Sequence, residues 1–107
     1  MSTAPKSEVL KFAEMVGYQE GSVVSRQITK EEAGNVTLFA FDKDQGLSEH
    51  TAPFDALVHV LEGRAQVIIS DKPYDLQAGD AIIMPADEPH ALKAIQRFKM
   101  LLTMIRA

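Results

Sequence analysis

Leu47–Gly63, "LSEHTAPFDALVHVLEG", and Ala78–Ala94, "AGDAIIMPADEPHALKA", carry the reading of the whole chain. Each sets a histidine, His50 or His90, in a turn-like context beside a β-rich run. Pro53 interrupts the first stretch, because proline gives no donor to a sheet ladder and is tolerated mainly at edges, strand starts and bulges. In the second, "AGD" and "ADEP" act as turns on either side of the brief apolar run Ala81–Pro85. Short apolar runs between closely spaced turns describe a compact all-β domain, a barrel or a sandwich. Any function should lie where the two histidine turns meet.

Between and beyond these stretches the pattern is of strands. Ala56–Leu61 reads as a strand, Glu62-Gly63-Arg64 as a tight turn, and Ala65–Asp71 as its hairpin partner. Tyr74–Gln77, Ala81–Pro85 and His90–Ile95 follow, then a turn at Gln96-Arg97 and a last strand over Phe98–Arg106. Upstream, Ser22–Thr29 and Asn35–Asp44 flank a hairpin turn in "KEEAGN". The second of these has Val36, Leu38 and Ala40 on one face and Thr37, Phe39 and Phe41 on the other, which predicts cover on both faces, by the core and by a second subunit. Met1–Lys6 reads as a leader. Ser7 then caps a short helix whose apolar face is Val9, Leu10, Phe12, Ala13 and Val16, ended by Gly17. The chain is thus one domain over 1–107, with leader and helix in 1–20 and a barrel over 22–106. About nine or ten short strands are more than one small sheet usually holds, so a closed or two-sheet architecture is expected.

Composition narrows the function classes. At 107 residues, 46% hydrophobic and 24% charged, the chain is an ordinary globular domain able to bury a core unaided. It has no cysteine, which excludes disulfides, thiolate metal ligands and a cysteine nucleophile, and suits a reducing cytoplasm. A formal charge of −4 with no basic patch speaks against a nucleic-acid partner. The N-terminus lacks the apolar core of a signal peptide and no apolar run approaches a membrane span, so a cytoplasmic location without membrane attachment is expected. Ser48 lies two residues before His50, but no third group completes a nucleophilic triad, and no glycine-rich phosphate loop is present. The catalytic residues, if there are any, are not named by the sequence.

The histidine stretches resemble the two motifs of the small single-domain cupins, double-stranded β-helix (jelly-roll) proteins. The second motif, G-x5-P-x-G-x2-H-x3-N, is met by Gly79, Pro85 and His90, with Asp87 for its second glycine and Ala94 for the asparagine. The first, G-x5-H-x-H-x3-E-x6-G, aligned on Gly63, has His50 on the first histidine, Ala52 on the second, Ala56 on the glutamate and Asp44 on the opening glycine. The likeness covers about Gly46 to Ile105. It implies an all-β cupin barrel with a short N-terminal helix, and dimers formed by sheet-to-sheet packing.

In metal-binding cupins three histidines and a glutamate converge on one ion, which wants donors at about 2.0–2.2 Å. This chain keeps two of the four, so His50 and His90 are the candidate metal ligands, for Zn, Ni, Mn or Fe. His59 ranks behind them: an odd step from Ala56 turns it to the opposite face. Glu49 and Asp55 have the wrong parity too. Asp87 or Glu88, just before His90, is placed to orient its imidazole. The first reading is a binding module, with a small anionic or hydroxylated ligand held by His50 and His90 against Phe54, Val58, Met84 and Met104. The methionines serve equally as core filling, since thioethers fit irregular gaps. The alternative is a metal-dependent oxygenase or isomerase whose substrate completes the coordination shell.

Overall fold

The computed structural model describes residues 3–106; Met1 and Ser2 of the expected leader, and Ala107, lie outside them. Seven strands follow one another: β1 (Val23–Glu31), β2 (Gly34–Phe41), β3 (Gly46–His50), β4 (Phe54–Ile69), β5 (Lys72–Gln77), β6 (Ala81–Met84) and β7 (His90–Arg106). β4 and β7 are antiparallel neighbours along most of their length, from Phe54 opposite Arg106 to Ile69 opposite His90. Each passes through two layers. The first half of β4 and the second half of β7 belong to a sheet ordered β1-β2-β7-β4-β6, and their other halves to a sheet ordered β3-β7-β4-β5. The result is the expected jelly roll.

Two expected turns are absent. Glu62-Gly63-Arg64 does not reverse the chain, nor does Gln96-Arg97; both lie inside long strands. The ladder slips here, since Gly63 faces Phe98 and Ala65 faces Ala94, leaving Ile95–Arg97 across from Arg64 alone. Gly63 has φ of 83°. A glycine with positive φ beside extra residues on the partner strand makes a bulge that bends both strands from one sheet into the other. The shorter strands read from the sequence are halves of β4 and β7.

Alternation along β4 fills the space between the sheets: Ala56, Val58 and Val60 are buried there with Met100 and Leu102 of β7. Phe41 and Phe98 stack with ring centroids 4.4 Å apart, at the level of the bulge. A second cluster lies outside the first sheet, where Ala4, Val16, Phe12 and Met15 pack on Ile28, Leu38 and Ala40. The outward face of β2 is therefore covered by the chain's own N-terminal segment, and this cover does not need the second subunit expected there.

The expected N-terminal helix shrinks to one 3-10 turn, Phe12–Glu14. Ser7 has φ of 62°, not the extended backbone of a helix cap, and Val9 is 92% exposed. So short a helix is marginal by itself, and the apolar side chains dock one by one on a flat sheet instead. Polar ties hold the segment down: the Ala4 N–H donates to the Ile28 carbonyl (2.8 Å) and Lys99 Nζ to the Ala13 carbonyl (2.6 Å). The Tyr18 hydroxyl donates to Glu62 Oε2 at 2.7 Å, with Arg97 and Lys99 over its ring at 5.2 and 5.1 Å. Burial, and then the Glu62 carboxylate, push the Tyr18 phenol above its usual range. Removing that hydroxyl in Tyr18→Phe should lower stability by about 1–2 kcal/mol, read as a lower urea midpoint at unchanged slope.

Candidate functional site

β3 ends on His50 and β7 begins on His90, and the two residues face each other directly across the antiparallel pair. Directly opposed side chains in such a ladder touch. The rings meet nearly edge to face, centroids 4.4 Å apart, with the two Nε2 atoms 3.1 Å from each other. His50 is exposed; His90 is 4% exposed.

A backbone carbonyl holds the outer ring in place. His50 Nδ1 lies 2.7 Å from the Ser48 carbonyl, which can only accept, so Nδ1 carries the proton. In the neutral ring its Nε2 is then bare, and His90 Nε2 stands 3.1 Å from it. His90 Nδ1 is left buried without a hydrogen-bond partner. Burial, and then the neighbouring His50, depress the His90 pKa below its ordinary value, opposed by the Glu88 backbone.

That depression makes stability depend on pH. Between the folded and ordinary values of the His90 pKa the unfolded chain binds more protons, so stability rises with pH through this window. It is complete above about pH 6.5 and falls as the solution is acidified. Thermal midpoints measured over about pH 5 to 7.5 should show this slope, and His90→Gln should flatten it.

The loops that hold the pair are tied to one another. The Asp87 N–H donates to the Ala52 carbonyl (2.8 Å), and Asp55 Oδ1 accepts the Ala86 N–H (2.9 Å). The Glu88 carboxylate does not orient the His90 ring: it accepts the Ser70 hydroxyl at 2.6 Å. Asp44, Gly63, Gly79 and Asp87 occupy the four motif glycine positions, and all have positive φ, at 70, 83, 94 and 66°. Aspartate tolerates this region better than most residues. The motif survives as backbone shape where its glycines are lost.

Beside the pair is a small enclosed space of about 40 Å³, lined by His50, His90, Ala52, Ala56, Leu47, Leu92, Leu102, Met84 and Met104. Four of the candidates from the sequence, His50, His90, Met84 and Met104, thus share one pocket. Two others do not line it. Val58 is fully buried between Ile82 and Leu102 in the core, and Phe54 borders a separate surface groove beneath Arg106, whose Cζ is 5.5 Å from its ring. His59 sits on the outer face of β4, opposite Ala81 and Leu101, as its parity requires. Leu47, Leu92 and Leu102 were not marked by any motif; Leu92 could have been found as the residue two beyond His90, on the same face of the strand.

The donor set decides what the pocket can hold. Two Nε2 atoms this close can both reach one ion at about 2.0–2.1 Å. The other two positions of the motif, however, are the methyl groups of Ala52 and Ala56, and among the described residues no three of His, Cys, Asp or Glu are grouped to hold a metal. The residues do not make the full donor set of an ordinary site.

The family model for the cupin domain matches residues 37–105. This chain belongs to the cupin family. Among solved structures the cupin superposes on a conserved protein of unknown function from Streptococcus pyogenes, 33% identical, with a TM-score of 0.91 over 100% of this chain and 96% of that one. A cupin superfamily protein from Desulfitobacterium hafniense is 27% identical, with a TM-score of 0.91 over 99% and 97% of the two chains. A cupin 2 conserved barrel domain protein from Leptotrichia buccalis is 38% identical, with a TM-score of 0.86 over 88% of this cupin and 46% of that chain. No curated protein matches. Among the described residues of this cupin no helix is long and apolar enough to cross a membrane.

Proposed function

We propose that this cupin is a binding module that holds a small molecule at the His50–His90 pair, against the apolar wall of Met84, Met104 and Leu102. One observation carries the reading: the imidazoles hydrogen-bond to each other at 3.1 Å beside an apolar pocket whose remaining motif positions are alanines. Such a pair gives a ligand hydrogen-bonding contacts and the pocket gives it a dry seat. A screen of small molecules by ring ¹⁵N NMR tests it. Ligands that shift His50 and His90 together, and no longer bind to His50→Ala, are expected; ligands that bind equally well to that variant would place the site elsewhere.

The approach of both Nε2 atoms to a common point favours a second reading, a metal-dependent oxygenase or isomerase using Zn, Ni, Mn or Fe. There His50 and His90 would hold the ion and the substrate would complete its shell. Metal content separates the two readings.

We also propose a homodimer, in the cytoplasm that a cysteine-free chain suits. Leu57, Ile83 and Ile105 are exposed on the outer face of the first sheet, Leu57 opposite Ile83 in the ladder and Ile105 opposite the neighbouring Asp55. Apolar side chains grouped in this way support an association surface. Ile83→Glu should halve the mass measured by light scattering after size exclusion while leaving the thermal midpoint nearly unchanged, since the side chain is more than half exposed.

A further inference from the structure

We propose that the small molecule held by this pocket enters with an aliphatic end of about three or four carbons, seated over the Ala56 methyl between Met84 and Met104, and leaves its one polar group at the exposed His50 rim. The inference deepens the reading of the His50–His90 pair as a binding site and rests on it. It follows from how the lining is divided. On one wall Met84, Ala56 and Met104 stand side by side across β6, β4 and β7, Ala56 being opposite Met84 in one ladder and opposite Met104 in the other. A methyl between two long thioethers leaves a notch, and Leu102, two residues from Met104 on the same face of β7, closes its inner end. The facing wall is Leu47 beside Leu92 in the second sheet. The imidazoles lie past that pair, where β3 ends and β7 begins. The polar part of the pocket is thus at its rim, and the depth is apolar.

A polar atom carried into the notch meets no partner. The side chains there end in methyl, isobutyl and thioether groups, and the strand backbone is paired on both sides: Ala56 with Met84 and Met104, Leu102 with Thr37 and Val58, Met104 with Asn35 and Ala56. Met84, Ala56 and Leu102 are only 2, 3 and 9% exposed. A hydroxyl, amino or carboxylate group at that depth loses its water unreplaced, at a cost greater than one hydrogen bond returns. A methylene gains by the same burial. Polyols, sugars and dicarboxylates are therefore excluded in favour of one polar head on a short alkyl tail. The space of about 40 Å³ is a few water-sized spheres, enough for three or four carbons and no more unless the methionines shift.

Two homologous series with unlike heads test this: the straight-chain carboxylates from acetate to hexanoate and the matching primary amides. Each is titrated into the full-length protein at one pH and one ionic strength. The readouts are the methyl signals of Met84 and Met104 and the ring ¹⁵N signals of His50 and His90. In both series affinity should rise about three- to fourfold per added methylene, the ratio one buried CH₂ supplies, and level off or fall at hexanoate and hexanamide. 4-Hydroxybutyrate, which puts a hydroxyl where pentanoate has its last methyl, should bind at least about fivefold more weakly than pentanoate. Ring shifts whose affinity does not change with tail length, or 4-hydroxybutyrate binding as tightly as pentanoate, overturn the tail inference and leave the pair as the site. Failure of every member to shift the rings overturns both. Ala56→Leu, which fills the notch, should abolish the dependence on tail length, and the milder Ala56→Val should move the break to a shorter tail if the leucine variant does not fold. An unchanged break in a folded variant places the tail elsewhere and overturns the inference.

Discussion

Changing Ala52 to His and Ala56 to Glu together should turn the pocket into a metal site, raising Zn affinity over the wild type on the order of a thousandfold. Both alanines line the same space as His50 and His90. The alternation of β4 already turns residue 56 inward, and the residue is only 3% exposed. Without metal the double variant should be less stable than wild type, because a glutamate set between Met84 and Met104 is a buried carboxylate with no partner. Zinc should restore the loss, so the thermal midpoint of the variant should climb with added Zn while that of the wild type stays nearly constant. Competition titration and elemental analysis read the affinity and the stoichiometry. A variant that folds yet binds Zn no better than wild type would mean that the four positions do not converge.

Gly63→Ala should be the most destabilising single change of a small residue, by about 3–5 kcal/mol. A Cβ there would lie 1.8 Å from the Arg97 carbonyl oxygen and 2.7 Å from Phe98 Cα, both backbone atoms that cannot rotate aside. The positive φ adds about 1–2 kcal/mol for any residue with a side chain. Relief requires β7 to move off β4 at the bulge, which pulls Phe98 away from its stack with Phe41. Gly79→Ala is the matched control. Its φ of 94° carries the backbone penalty, but nothing lies within 4 Å of the added methyl, so it should cost only about 1 kcal/mol. Urea unfolding of both variants gives the comparison. Equal losses would show that the close approach of the strands at Gly63 contributes nothing.

These two positions also mark what the sequence discloses and what it withholds. Ala56, Val58 and Val60 alternate with Leu57, His59 and Leu61, so the inward face of β4 and the exclusion of His59 are both legible. The opposition of His50 and His90 is legible from motif spacing, since the motif encodes two loops that meet across a ladder. Glu62-Gly63-Arg64, by contrast, carries every local sign of a hairpin. Only the Arg97 carbonyl, arriving from a distant part of β7, makes it a bulge, and local residues cannot announce a neighbour they do not contain. The N-terminal segment misleads for a similar reason. Leu10, Phe12 and Val16 suit a helix face, yet a flat sheet accepts them equally well one at a time. Phe54 follows Pro53 closely in sequence and was expected at the pocket, but as the first residue of β4 it pairs with Arg106 and leaves the pocket to Leu47, Leu92 and Leu102.

Metal content per chain decides most directly whether His50 and His90 form a ligand-binding pair or the remnant that still holds an ion. The protein is purified without an affinity tag or chelator, supplied in turn with Zn, Ni, Mn and Fe, desalted, and measured by elemental analysis beside His50→Ala and His90→Ala. We predict metal far below one equivalent in all three proteins and no difference between them. Near-stoichiometric metal in the wild type, lost in both variants, would contradict the binding-module reading and establish the pair as a metal site.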